Sequence, residues 1–287
     1  ILIGAGVKEI LIEDGIAKGV VMQDGKIIKS DVVVSGAGVH ITFNQLIPST
    51  AKSKIKYVDD VLSLPASYGH LSLYIGLKHT ADELNLPKAN YWIYPNGTNH
   101  DKAINEFLED VNKEFPVVYI SFPAAKNPKF EEKYPGRSTI EIITVANYDW
   151  FKKWENTRWK KRGEDYDAFK EQLAQRLLDH LYKYEPQVKG KIDTYELSTP
   201  ITTKHFCNYI NGEIYGLDHP PARFAKEYLK PATPIKNLFL TGQDIVTVGI
   251  GGALMSGVLT ASAITKTNLI NEIVNKAKKE SKEEEEE

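Results

Sequence analysis

Short apolar runs at residues 7–13 and 16–22 are separated by Asp14-Gly15, and a third run, 26–29, follows Asp24-Gly25. Asp-Gly between alternating apolar residues is the strongest local hairpin signal, so these runs predict an antiparallel meander. Asp31–Ser35, with three consecutive valines, predicts a buried strand after it. Residues 39–52 predict a helical turn stopped by Pro48. Alternation in 67–78, with Leu71, Leu73 and Ile75 on one face, predicts a strand, and 89–98 a second one ending in a Pro-Asn-Gly turn. Ile104, Phe107, Leu108 and Val111 recur at helical spacing. Residues 117–124 and 138–148 predict paired strands joined by a charged, proline-containing loop. The longest helical stripe is Phe169, Leu173, Leu177 and Leu181, ended by Pro186, and 190–199 predicts another strand. Residues 237–264 predict a strand, a glycine-rich loop and an apolar helix. The final KAKKESKEEEEE predicts a tail that frays into solvent.

Strands come first, then a mixed middle, then one strand–loop–helix unit. That order predicts a mixed α/β (α+β) chain in two domains. The chain leaves the first at about residue 63 and returns at about 231, giving segments 1–62, 63–230 and 231–270, with a charged tail over 271–287. The 287 residues, 42% hydrophobic and 26% charged, fit one large or two ordinary globular domains. A formal net charge of −2 gives no basic surface for nucleic acid. Cys207 stands alone, so no internal disulfide forms. No run approaches 18 apolar residues. The chain opens at Ile1, inside a strand-like run, which leads us to expect a piece of a longer protein and leaves location open between cytoplasmic and peripheral-membrane.

Gly4-Ala5-Gly6 invites a phosphate-loop reading, but Glu9 stands where G-x-G-x-x-G needs its third glycine, and a strand follows instead of a helix. The sharper feature is Leu238–Leu240 running into Thr241-Gly242-Gln243-Asp244, then Gly249, Gly251 and Gly252. A helix N-terminus offers unpaired N–H groups and partial positive charge, which suits an anionic or electron-rich ligand edge. An aspartate at a strand end can accept from ligand hydroxyls. A tightly packed junction with no ligand explains the same residues equally well.

The seven histidines (40, 70, 79, 100, 180, 205, 219) show no metal-ligand spacing, and no G-x-S-x-G elbow is present. His205 and Cys207 alternate along a segment read as extended, one side chain exposed and one packed. The aromatic and basic run 150–163 could lie on a membrane or touch nucleic acid; the even charge balance favours the solvated start of a helix with Trp150 and Trp154 turned inward. The aromatic strands 67–78 and 89–98 could line an apolar tunnel or be core.

The C-terminal stretch, together with 198–219 (STPITTKHFCNYINGEIYGLDH) and the opening meander, resembles the phytoene desaturase-like FAD-dependent oxidoreductases across the whole chain in order. The middle, 80–190, matches only loosely. The resemblance implies a Rossmann-like flavin domain carrying an inserted, mixed-sheet domain for a hydrophobic substrate. It implies that Asp244 bonds the ribityl or pyrophosphate part of FAD, beside Gly242. Gly251, Gly252 and Ala253 would set the helix N-terminus near the flavin ring, where its dipole stabilises the reduced N1–C2=O edge. Val7 would offer its backbone to the adenine, and Ser35, Gly36 and Ala37 would end the strand returning beside the cofactor. The family's G-x-G-x-x-G and its downstream acidic residue do not occur in this chain. Implied chemistry is hydride transfer via flavin N5 to a C=C bond of a retinol-like or isoprenoid polyene, with NAD(P)H as a possible electron donor; desaturation, cis–trans isomerisation and non-redox binding of an apolar ligand are the alternatives. Tyr215 or His219 could donate the accompanying proton; equally, the tyrosine could pack a turn and the histidine lie on the surface. The implied partners are the apolar polyene and a peripheral contact with lipid, without nucleic acid.

Overall fold

The computed structural model describes residues 1–95, 97 and 99–286. Asn96 and Thr98, in the expected Pro-Asn-Gly turn, lie outside the described residues. The chain divides into one unit made of Ile1–Ser67 with Tyr215–Glu287, and a second made of Tyr68–Ile214. Residues 215–230 therefore pack with the first unit.

In the first unit, β1 (Val7–Glu13), β2 (Ile16–Met22) and β3 (Ile27–Lys29) form an antiparallel meander. Asp14 and Gly15 both take positive φ (50° and 76°), the conformation a two-residue hairpin needs to match strand twist. Val7 follows Gly6 straight into β1, so no helix opens behind the Gly-Ala-Gly. A separate parallel pair joins β4 (Val33–Ser35) to β10 (Leu238–Leu240), with Val33 opposite Leu238 and Ser35 opposite Leu240. Ser30 delays the start of β4 by turning the chain: its Oγ donates to Val32 O and accepts from Val32 N. The helical segment after β4 is longer than one turn, a helix Val39–Ile41 continuing as a π-turn Thr42–Leu46 closed by Ile47 N on Thr42 O (3.0 Å). Ile10, Val39, Phe43, Ile47, Val61, Leu217 and Leu238 fill the core of this unit.

The second unit is a five-stranded antiparallel sheet in the order β6 (Tyr91–Ile93), β7 (Val118–Ser121), β8 (Ser138–Ala146), β5 (Gly69–Leu77), β9 (Ile192–Ser198). One face is its core. Leu71, Leu73, Ile75, Leu77, Ile140 and Ile142 meet Leu173, Leu177 and Leu181 of the helix Glu164–Tyr184. Burial of each such leucine contributes about 1.5–3 kcal/mol. Residues of opposite parity stand on the other face. There Thr139, Gly76 and Thr194 form one cross-strand row, and Ser121, Glu141, Tyr74 and Glu196 the next. Tyr74, 50% exposed, and Trp92, 60% exposed, stand on this second face or in solvent, while Tyr91 packs on Phe122 (5.3 Å) against the aliphatic core.

Three local expectations are corrected. Pro200–Cys207 is helical, not extended. Thr199 caps it: its hydroxyl accepts from the backbone of Thr202, while Thr202 Oγ1 accepts from Thr199 N, and Pro200 sits at the first helical position where no N–H is needed. His205 and Cys207 are consequently both exposed, and His205 stacks on Trp159 (5.7 Å, 14°). The 150–163 run forms two 3₁₀ turns instead of a helix start, because Arg162 is buried and donates to the Trp154 and Thr157 carbonyls. Trp154 is nonetheless buried and Trp150 packs edge-on to Phe107 (5.2 Å). The charged tail belongs to a helix, Leu269–Glu286, entered through Asn268 Oδ1 accepting from Asn271 N and carrying a Lys276–Glu280 pair one turn apart (3.8 Å). Glutamate and lysine are strong helix formers, which outweighs their low-complexity pattern.

Candidate functional site

The first unit gathers three segments on one carboxylate. Asp244, just past β10 and 5% exposed, accepts from Val39 N on Oδ2 (2.8 Å) and from Leu217 N on Oδ1 (2.9 Å). Gly216 makes this approach possible, since a Cβ there would sit 2.2 Å from Asp244 Oδ1. Arg223, 3% exposed, holds the same turn from the other side. Its Nη2 donates to the Gln243 and Asp244 carbonyls (both 2.9 Å), and Nη1 reaches those of Leu217 (3.5 Å) and Asp218 (3.4 Å). Burial lowers the pKa of this guanidinium, and the opposing charge of Asp244 acts in the other direction. A buried cation saturated by carbonyls and set beside a buried anion forms a rigid clamp. Arg223 escaped the sequence reading; its signal is a lone arginine between apolar neighbours after Pro220-Pro221.

The helix Gly249–Thr265 starts a few residues further on, with no side chain capping it. Gly252, Ser256 and Thr260, spaced by four, form its buried stripe. Ser256 Oγ accepts from Gly242 N (2.8 Å) and Thr260 Oγ1 donates to Leu240 O (2.8 Å), so the helix is pinned to the end of β10. A Cβ on Gly252 would lie 2.0 Å from Thr247 O, which explains the glycine by close approach within the protein. At Gly251 and Gly242 a Cβ would meet nothing within 4 Å. Gly249, Ile250, Gly251 and Ala253 are exposed. An uncapped helix N-terminus with open space above its glycines fits an electron-rich ligand edge such as that of a flavin.

Ser35 ends β4 in contact with this set, its hydroxyl 2.7 Å from Thr42 Oγ1 and its carbonyl accepting from Thr241 N (3.0 Å). Gly36 and Ala37 continue toward Val39, where Asp244 binds the backbone. Val7 stands apart in the meander, paired with Met22. Tyr215 donates its backbone N–H to Ser67 Oγ (3.0 Å) and leaves its ring 40% exposed, whereas His219 is half-buried against Phe224 (6.0 Å). Burial first, then the Arg223 charge, lowers the His219 pKa, and its Nε2 makes no hydrogen bond among the described residues. The turn-packing tyrosine and surface histidine are thus reversed. Among the described residues no three His, Cys, Asp or Glu side chains converge as a metal site, and no helix is long and apolar enough to cross a membrane.

The chain is 34% identical, over an alignment of 297 positions, to the all-trans-retinol 13,14-reductase of Danio rerio, covering 97% of this chain and 48% of that one. This chain is a retinol 13,14-reductase homologue. It is similar to those reductases over nearly its whole length and, more distantly, to a phytoene desaturase. A second Danio rerio relative, named an inactive all-trans-retinol 13,14-reductase, is 33% identical over 92% of this chain and 45% of its own length. The phytoene desaturase of Fusarium fujikuroi is 23% identical over 84% of this chain and 42% of its own. No family model matches. The chain spans about half the length of the relatives it matches, and the family resemblance covers the Asp244 clamp, the glycine helix and the second unit alike.

Proposed function

We propose that this chain is part of an FAD-dependent oxidoreductase that saturates a C=C bond of an apolar polyene, a retinol-like alcohol first among them. The observation carrying this reading is the open, uncapped N-terminus of Gly249–Thr265, fixed at the end of β10 by the Asp244–Arg223 clamp in a chain 34% identical to a retinol 13,14-reductase. In this reading the first unit is the Rossmann-like flavin domain and the second the inserted substrate domain. The chemistry that a bound flavin supplies is hydride transfer at its N5, with NAD(P)H as its reductant. Gly251, Gly252 and Ala253 would set the helix N-terminus near the electron-rich edge of the ring, where the unpaired N–H groups of the first turn would stabilise negative charge. Gly242 and Asp244, the latter with both carboxylate oxygens already accepting from Val39 N and Leu217 N, would border the ribityl or pyrophosphate portion, Ser35, Gly36 and Ala37 would flank it, and Val7 would offer backbone to the adenine. Tyr215 and His219 are the candidate proton donors beside the clamp, and burial, then the Arg223 charge, lowers the His219 pKa.

The test is a visible spectrum of the protein expressed from its complete reading frame, followed by product analysis with all-trans-retinol. A bound-flavin spectrum and a shortened chromophore are expected. A lengthened chromophore would assign desaturation and an unchanged bond count isomerisation, the directions suggested by the phytoene desaturase relative. A protein that stays colourless with added FAD yet binds retinol would replace the enzyme by a binding module, the reading that the relative named inactive favours.

A further inference from the structure

The second face of the five-stranded sheet carries a groove of about 420 Å³ that the clamp does not use. Its floor is Gly76, where the sheet has no side chain between Thr139 and Thr194. Tyr74 and Pro123 wall it, and Glu141 lies in it, directly across the strands from Tyr74. The rest of the lining is mostly apolar, with Thr139, Thr194 and Glu196 as its other polar members. Glu141 is half-buried, and among the described residues its oxygens accept no hydrogen bond. Desolvation raises its pKa, with Lys126 as the one charge acting to lower it. A half-buried carboxyl with no protein donor, set in a mostly apolar groove, is free to accept a hydrogen bond from a ligand hydroxyl that enters it. The next carboxylate in the row, Glu196, is already engaged by Lys170 (2.5 Å).

We propose that this groove receives an apolar chain ending in a hydroxyl, and that Glu141 accepts the hydroxyl hydrogen, selecting a polyene alcohol over a polyene hydrocarbon. The proposal rests on the substrate class given above. It adds to that class the feature by which the protein would separate a retinol-like molecule from a carotene-like one. A site built around a hydroxyl rejects the analogue lacking it far more strongly than an apolar pocket rejects an added methylene, because its own polar group is left unpaired. Thr139 and Thr194, on either side of Gly76, set the width of the groove.

The experiment titrates the full-length, flavin-loaded protein with all-trans-retinol and with the hydrocarbon of the same skeleton, reading ligand fluorescence, in the wild type and in Glu141→Gln, Glu141→Leu and Thr139→Trp. The wild type should hold the alcohol at least tenfold more tightly than the hydrocarbon. Glu141→Leu should erase that ratio by weakening the alcohol alone, and Glu141→Gln, which keeps an acceptor, should restore part of it. Thr139→Trp should weaken both ligands about tenfold or more. Flavin absorbance and far-UV circular dichroism, unchanged in all three, report that fold and cofactor are intact. Alcohol and hydrocarbon constants unmoved by Glu141→Leu and Thr139→Trp, with retinol turnover retained, would overturn the groove assignment and leave the proposed reaction standing. A wild type that binds neither polyene would overturn the substrate class and the groove with it.

Discussion

Asp244 and Arg223 bury opposite charges in one turn, and almost all their bonds go to backbone. Removing one of them leaves the other uncompensated. Asp244→Ala should therefore cost about 3–5 kcal/mol of stability in the full-length protein, since two buried N–H groups lose their acceptor and the guanidinium its counter-charge. Urea denaturation midpoints read this directly. Asp244→Asn keeps one acceptor and should cost less than the alanine. Equal midpoints for wild type and alanine variant would show that the clamp carries no strain-bearing bonds. The aspartate was visible in the sequence as a polar residue at a strand end, because that position is local. Its partners were not, since Val39 lies 205 positions away and the arginine acts on carbonyls that every residue possesses.

Within the helix Gly249–Thr265, two adjacent glycines answer to different neighbours. The space at Gly252 is filled by the Thr247 carbonyl, and the space at Gly251 is empty. Gly252→Ala should lower the melting temperature of the protein by several degrees, because backbone must shift to admit a methyl. Gly251→Ala should leave melting of the flavin-free protein unchanged or raise it slightly, as alanine is the better helix former by roughly 1 kcal/mol, while weakening flavin retention. Paired melting curves with and without added FAD separate the two effects. A flavin affinity untouched by Gly251→Ala would remove that glycine from the cofactor edge. At this scale the hairpins, the long amphipathic helix and the strand–loop–helix were legible, because turn chemistry and periodicity are local signals. The helix Pro200–Cys207 was not, since Ile201, Thr202 and Thr203 carry β propensity and its start depends on a cap at Thr199. The C-terminal helix was hidden by a composition shared with disordered tails.

The second unit is one continuous stretch, Tyr68–Ile214, with its own sheet, helix and core. Its ends are paired: Ile214 N donates to Tyr68 O (3.0 Å), and Gly69 bridges to Glu213. The first unit closes the same way, with Ser67 N donating to Gly216 O (2.8 Å). Residues 68–214 expressed alone should give a single cooperative thermal transition by circular dichroism, with a size-typical enthalpy. Broad, non-cooperative melting would mean that the fold borrows stability from the first unit. The order of elements marked two domains with an exit near residue 63, close to Ser67, but placed the return near 231 instead of at Tyr215, because that boundary rests on backbone pairs that leave no residue signature.

That seam makes the protein modular in an evolutionary sense. A lineage could exchange everything between Tyr68 and Ile214 for another fold with adjacent ends and keep the Asp244 clamp unaltered. On the reading proposed above, new ligand preferences would then arise by transplantation of a whole unit, or by drift at a few groove positions, while the first unit stayed under its own separate selection.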